Sequence, residues 1–175
     1  MINYQWMQPI TDTETLIEYH EQISRVMLGI YSDKLLFVKQ RGWVASLPFN
    51  DFRGGEDYKE RFTQALARRG YSEFKALYWE VFKNEPPGFA IPATLAGVQE
   101  CILKLVPGSL CVLFAGKPDW LIFLTQLNYM VIAGAPDFVT EVLGCLVETG
   151  FESLQDYLTS HEDRLIPEEK ISDSQ

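Results

Sequence analysis

The sequence is poor in the residues that build metal sites and disulfide frameworks. It has two histidines and three cysteines in 175 residues, so a site held by several histidines is excluded. Cys101, Cys111 and Cys145 lie far apart in apolar segments without a C-x-x-C pair, which disfavours zinc, dithiol and disulfide sites. We therefore expect no metal and no cofactor, and free thiols that suit a cytoplasmic location.

The short motifs of common enzymes are also missing. Neither G-x-G-x-x-G nor G-x-S-x-G occurs. Ala115-Gly116-Lys117 is similar to the end of a phosphate-binding loop, but Pro118 follows where a serine or threonine would meet magnesium. Asp57 and Asp137 are a candidate carboxylate pair for glycoside hydrolysis, yet helix capping explains both. No catalytic residue is predicted, and a non-enzymatic protein is the expectation.

Long uncharged stretches are absent as well. The longest, Trp120–Pro136, falls short of the ~20 apolar residues that a membrane-spanning helix needs. Its middle also holds three polar residues, Thr125, Gln126 and Asn128. Residues 1–12 have neither a basic n-region nor an apolar h-region and do not resemble a signal peptide. The sequence thus predicts neither a membrane partner nor secretion.

A basic excess is missing too, because the formal net charge is −9. Residues 151–175 hold seven acidic and two basic residues, so more than half of the net charge is C-terminal. Basic residues cluster only around residues 53–75, where acidic residues interleave with them in pairs such as Asp57–Arg61. We expect no nucleic-acid partner, because binding to phosphates needs an uncompensated basic surface.

Two blocks about 80 residues apart match each other in order. Gly54–Tyr71 aligned with Gly134–Phe151 pairs Asp57 with Asp137, and an aromatic residue follows each aspartate. The blocks upstream of them align at nearly the same shift. This pattern predicts a tandem, pseudo-duplicated chain, with a chance likeness between amphipathic helices as the open alternative.

Each half is predicted to follow the order α-β-β-β-α-α, which gives an α+β fold of antiparallel meanders covered by helices. The first helix begins at the capping box Thr11-x-x-Glu14. Residues 72–83 are rich in aromatics and suit a strand, but the spacing of Phe74, Leu77 and Tyr78 favours a helix. The strands are expected at about 28–31, 34–39 and 43–48, and again at 109–115, 119–125 and 128–133.

These elements divide the chain into five segments, and we expect the two repeats among them to form one compact domain. The segments are an aromatic leader (1–11), the first repeat (12–83), a Pro-rich linker (84–91), the second repeat (92–161) and an acidic, disordered tail (162–175).

Five residues are candidates for binding. Trp6 lies in an aromatic leader that either packs onto the body or binds a partner. Trp43 and Trp79 flank the more polar half, where an exposed aromatic patch would mark a protein interface. His20 and Asp119 are polar candidates for a ligand pocket, together with Cys111. A core imidazole and a turn aspartate are the simpler interpretations of the first two.

Three functions remain open at this stage. The first is a small intracellular protein-binding or regulatory module, of inhibitor or immunity type, that masks a basic partner. The second is a small-molecule binder or enzyme with a pocket in the groove between the halves. The third is a self-associating structural subunit, a homo-oligomer. The aromatic content and the acidic charge favour the first.

Overall fold

Four α-helices and nine β-strands make up the described part of the chain. The structure, a computed structural model, describes residues 4–31, 34–37, 43–46, 56–79, 85–105, 109–116, 118–124 and 130–144. The helices are α1 Thr13–Val26, α2 Glu56–Arg68, α3 Leu95–Lys104 and α4 Pro136–Leu143. The strands are β1 Gln8–Ile10, β2 Met27–Tyr31, β3 Lys34–Phe37, β4 Val44–Ser46, β5 Glu73–Tyr78, β6 Gly88–Pro92, β7 Cys111–Phe114, β8 Trp120–Leu124 and β9 Met130–Gly134. The prediction of a mixed α+β fold is confirmed.

Seven of these strands form one antiparallel sheet in the order β1-β6-β5-β7-β8-β9-β4. In β5, Ala76 lies opposite Phe89 on one side and opposite Leu113 on the other. Strands β2 and β3 pair separately as an antiparallel hairpin. Because β1, β4 and β5 come from the first half of the chain and the other four strands from the second, both halves build the same sheet.

The order β-α-β-β-β-α occurs twice along the described chain, from β1 to α2 and from β6 to α4. The pairing of the strands is not repeated. Strands β7, β8 and β9 are consecutive neighbours, whereas β2 pairs with β3 apart from them and β4 pairs with β9. A similar order of elements therefore does not give two similar sheets, and the tandem duplication stays a prediction.

Residues 72–83, predicted as a helix, contain a strand where the structure describes them. Glu73–Tyr78 is β5, so the helical prediction is wrong. Phe74 and Ala76 face the core on one side of the sheet, and Leu77 faces the core on the other side. Because both faces of this central strand are buried, apolar residues occupy neighbouring positions and imitate the spacing of a helix.

Helices cover the sheet on both faces. On one face α2, α3 and α4 pack over a cluster in which the ring of Trp120 stacks on that of Phe138, with centroids 5.0 Å apart. On the other face, α1 contributes Ile23 and Val26 to a cluster with β5, β7, β8 and β9. Each large apolar side chain that is fully buried in this way contributes about 1.5–3 kcal/mol. The position of α1 is thus fixed by the face of the sheet that α2, α3 and α4 leave open.

The start of α1 differs by one residue from the predicted capping box. Asp12 caps the helix, because its Oδ2 accepts hydrogen bonds from the Thr15 backbone N–H at 2.8 Å and from the Thr15 hydroxyl at 2.7 Å. These bonds hold the pKa of Asp12 below its usual value. The helix is therefore capped by a carboxylate at its positive end.

Residues 88–91 of the predicted linker take part in the sheet as most of β6, and the chain then turns tightly into α3. Thr94 caps α3, since its hydroxyl oxygen accepts from the Gly97 backbone N–H at 3.2 Å. A Cβ on Gly97 would lie 2.3 Å from the Pro92 carbonyl oxygen. Only a glycine allows the first turn of α3 to approach the end of β6 this closely.

We expect Gly97→Ala to destabilise the protein, although alanine is the better helix former by about 1 kcal/mol. The methyl group has to displace the Pro92 backbone, and overpacking of this kind costs about 1–3 kcal/mol. The free energy of unfolding in urea measures the change. Leu103→Ala on the exposed side of α3 is the control and is expected to change it little. An increase in stability for Gly97→Ala would contradict the described packing of α3 on β6.

Candidate functional site

The structure brings three of the five candidate residues to the same side of the sheet. The rings of His20 and Trp79 meet edge to face, with centroids 5.3 Å apart. Trp43 and Trp79 are both partly buried and pack against the core cluster that lies beneath α1. Trp6 and Asp119 lie elsewhere. Trp79 and Trp43 thus pack on the side of the sheet that α1 covers, and the three residues do not form an exposed aromatic patch.

The outer side of α1 carries an open depression of about 510 Å³. The described residues that line it all belong to α1: Ile17, His20, Glu21, Ser24 and Arg25. Ile17 is 54% exposed and is one of three exposed large apolar side chains among the described residues, with Trp6 and Leu103. From the sequence, Ile17 is expected to widen the buried stripe, so its exposure is a feature that only the structure gives.

His20 is the titratable group closest to the core at this site. It is half-buried against Trp79, and burial lowers the pKa of its imidazole below the usual 6.5. Among the described residues none hydrogen-bonds to the imidazole, whereas a general base needs such a bond to its nucleophile and to an orienting group. The contacts of His20 are those of an imidazole packed at the edge of the core.

A second exposed feature is formed by the N-terminal strap, which we define as residues 4–10. The backbone N–H groups of Gln5, Trp6 and Met7 all donate to the Glu100 carboxylate on α3, at 2.8 Å from Gln5 and 3.1 Å from Met7. Desolvation opposes the ionisation of Glu100, but the three donors outweigh it and lower its pKa. One carboxylate therefore fixes three consecutive residues of the strap.

The ends of the strap are also anchored. The Tyr4 hydroxyl donates to Glu85 Oε2 at 2.7 Å, and burial together with this bond raises the pKa of Tyr4 to about 12. Met7 is buried in the core, and β1 then pairs with β6. Between these anchors Trp6 is 41% exposed. The strap is thus packed onto the body and still presents one tryptophan to solvent.

Leu103 lies one helical turn beyond Glu100 on α3 and is 76% exposed. Residues three apart on a helix are neighbours on its surface. We call Trp6 and Leu103 together the strap patch, because both side chains are exposed and the strap is bound to Glu100, three residues before Leu103 on α3. The sequence gives no signal for the contact between Trp6 and Glu100, which are 94 residues apart.

Asp119 makes a contact that ties two turns together. It accepts a hydrogen bond from the Tyr71 hydroxyl at 2.9 Å. Burial, and to a smaller extent this hydrogen bond, raises the pKa of Tyr71 to about 12. Asp119 itself is exposed at the turn before β8. Its partner Tyr71 packs on the face of the sheet that α2, α3 and α4 cover, whereas His20 contacts Trp79 on the α1 face, so the two polar candidates do not share a pocket.

The predicted basic cluster on α2 is neutralised by α4. Arg69 forms ion pairs with Glu141 and Asp137, both at 2.8 Å, and Arg68 pairs with Glu141 at 2.6 Å. Arg61 donates to the Val142 carbonyl at 3.0 Å instead of pairing with an α2 carboxylate. These guanidinium groups join α4 to α2, at whose end Arg68 and Arg69 are paired with carboxylates.

The remaining candidates for chemistry lie inside the protein. Cys101 and Cys111 are free thiols in the core, and burial raises the pKa of both. Cys145 lies outside the described residues. In the described part of the chain, no group of three or more His, Cys, Asp or Glu is placed to hold a metal ion. None of the helices described is long and apolar enough to cross a membrane.

We expect His20→Gln to reduce the pH dependence of stability. The pKa of His20 is lower in the folded state than in the unfolded state, so the unfolded chain takes up the proton first as the pH falls. The stabilising contribution of neutral His20 is present above about pH 6.5 and is lost as the pH falls through the folded-state pKa. Unfolding in urea at pH 7.5 and pH 5.5 measures the loss, which is larger for the wild type than for the variant.

Gln22→Ala in the same helix serves as the control for His20→Gln and is expected to keep the wild-type pH dependence. An equal loss of stability in the wild type and in His20→Gln would show that the imidazole is not packed as described.

No family model, curated protein or solved structure matches the chain. No residue role is therefore carried over from another protein. The exposed features that could bear on function are the outer side of α1 and the strap patch.

Proposed function

We propose that the chain is an intracellular protein-binding module, a regulatory protein of inhibitor or immunity type that masks a basic partner. The observation that carries this proposal is the strap patch. It supports protein binding because it presents a tryptophan and a leucine to solvent on a backbone that is already held in place.

Tryptophan is among the residues that most often dominate the energy of protein interfaces. Its contribution is largest when little order has to be gained on binding. Three hydrogen bonds to Glu100 and the buried Met7 side chain already order the backbone on both sides of Trp6. A partner that covers Trp6 and Leu103 would thus gain apolar burial at a small entropic cost. The net charge of −9 supports a basic partner, which it attracts at long range.

A second candidate function is supported by the depression on α1. Its volume of about 510 Å³ is in the range of small-molecule sites, and an imidazole, a carboxylate and a hydroxyl line it. These features favour a protein that binds a small molecule, or an enzyme that acts on one. The site is open to solvent, and His20 packs against Trp79. The small-molecule function is therefore less well supported than protein binding.

We expect Trp6→Ala to weaken the capture of a stoichiometric protein partner from native lysate by about 30-fold, as for a residue that dominates an interface. Quantitative affinity capture with the full-length chain measures the retained partner. Gln64→Ala, an exposed change on α2, is the control and is expected to retain the partner at the wild-type level. Circular dichroism checks that both variants fold.

Two results would contradict the proposal. Capture of no partner by the wild type would remove the protein-binding function, and undiminished capture by Trp6→Ala would remove the strap patch from it. A metabolite that raises the melting temperature of the wild type, but not that of His20→Ala, would support the small-molecule function instead.

A further inference from the structure

We propose that the outer side of α1 is the surface on which the basic partner docks, with a Lys- and Arg-rich segment as its occupant. This inference rests on the proposed protein-binding function and adds to it a second contact surface and the chemistry of the partner. We call the surface formed by Glu14, Ile17, Glu18 and Glu21 the α1 surface, and all four side chains are exposed.

The charge of the α1 surface is only partly compensated within its own helix, because the single arginine of α1, Arg25, lies four residues after Glu21 and α1 has no lysine. The first three turns of α1, residues 13–24, carry three glutamates and neither lysine nor arginine. In α2, by contrast, Lys59 and Arg61 alternate with the acidic residues. Opposite charges along α2 cancel at short range, whereas the field of α1 extends to a binding partner.

Several acidic side chains elsewhere in the described chain are engaged within the protein. Asp137 and Glu141 bind Arg68 and Arg69 at the end of α2, Glu73 binds Lys75, and Glu100 is held by the strap. On α1, Glu18 accepts a hydrogen bond from the Gln22 amide at 3.0 Å, which orients its carboxylate and leaves further lone pairs open to a donor. Cationic partners would therefore find available carboxylates on α1.

The arrangement of the three glutamates around Ile17 fits a protein segment better than a single ion. They are spaced at i, i+4 and i+7, so they follow one side of the helix over about 10 Å. Ile17 lies among them with 54% of its surface exposed. An apolar centre with a charged rim is the usual anatomy of a protein interface. A basic segment with one apolar side chain would contact both parts.

The inner side of α1 is anchored to the core beneath this surface, and the last turn of α1 limits where the segment lies. Tyr19 packs edge to face on Phe114 with ring centroids 5.5 Å apart, and Ile23 is buried in the core. Arg25 in the last turn would repel a cation. The segment is thus confined to the first three turns, where the helix needs no ordering on binding.

A labelled synthetic peptide of alternating lysine and leucine is the probe, with a glutamate and leucine peptide as its negative control. Fluorescence anisotropy measures its affinity for the full-length chain at low and at high salt. We expect Glu18→Gln/Glu21→Gln to weaken binding about 10-fold at low salt. The matched double variant Asp57→Asn/Glu60→Gln on α2 removes the same charge from another exposed helix and is expected to weaken it less than twofold. Ile17→Ala is expected to weaken binding about threefold at both salt concentrations.

Several outcomes would overturn the proposal. Equal losses of affinity for the α1 and α2 double variants would assign peptide binding to net charge alone. A lysine and leucine peptide that does not bind the wild type would show that the α1 surface does not take a basic segment. A sedimentation mass above that of a monomer, abolished by Ile17→Ala, would make a second copy of this chain the occupant.

The same variants separate this inference from the protein-binding function. A lysate partner that the wild type and Glu18→Gln/Glu21→Gln retain equally would overturn the role of α1 and leave protein binding intact. If the wild type retains no partner, the protein-binding function fails, and peptide binding still reports on the α1 surface by itself.

Discussion

Both faces of the seven-stranded sheet have to be covered, because the strands in its interior are apolar on both sides. The described residues of β7, β8 and β9 are buried throughout, so neither face of the sheet is left to solvent there. Of the helices in the described ranges, α2, α3 and α4 cover one face and α1 packs on the other. Trp79, which contacts His20, and Trp43 pack against the same core cluster as α1 and help to cover this face.

A helix that covers a sheet with one side necessarily presents the other side to its surroundings. In α1 the inner side carries Ile23 and Val26, and the outer side carries an exposed isoleucine among carboxylates. The strap has a similar arrangement at the edge of the sheet, where the Met7 side chain is buried and the Trp6 side chain is exposed. Both proposed contact surfaces are therefore the outward sides of elements whose inward sides the core holds in place.

Local patterns predicted much of this fold, and pairing between distant residues accounts for what they missed. The six predicted strands of the two meanders match β2, β3, β4, β7, β8 and β9, and Gly70 ends α2 with a positive φ of 74° as expected of a C-cap. The strand β5 was missed because burial on two faces removes its alternation. The exposure of Trp6 was beyond prediction, since it is set by Glu100, far away in the sequence.

Both halves of the chain share one sheet with β5 in its interior, and hydrogen exchange of the free protein is the direct test of this arrangement. The β5 amides, which pair with β6 and β7, are expected to exchange about as slowly as global unfolding allows. Those of β1 at the edge are expected to exchange faster. Fast exchange throughout residues 73–78 would contradict the shared sheet, and with it the placement of α1 and the strap.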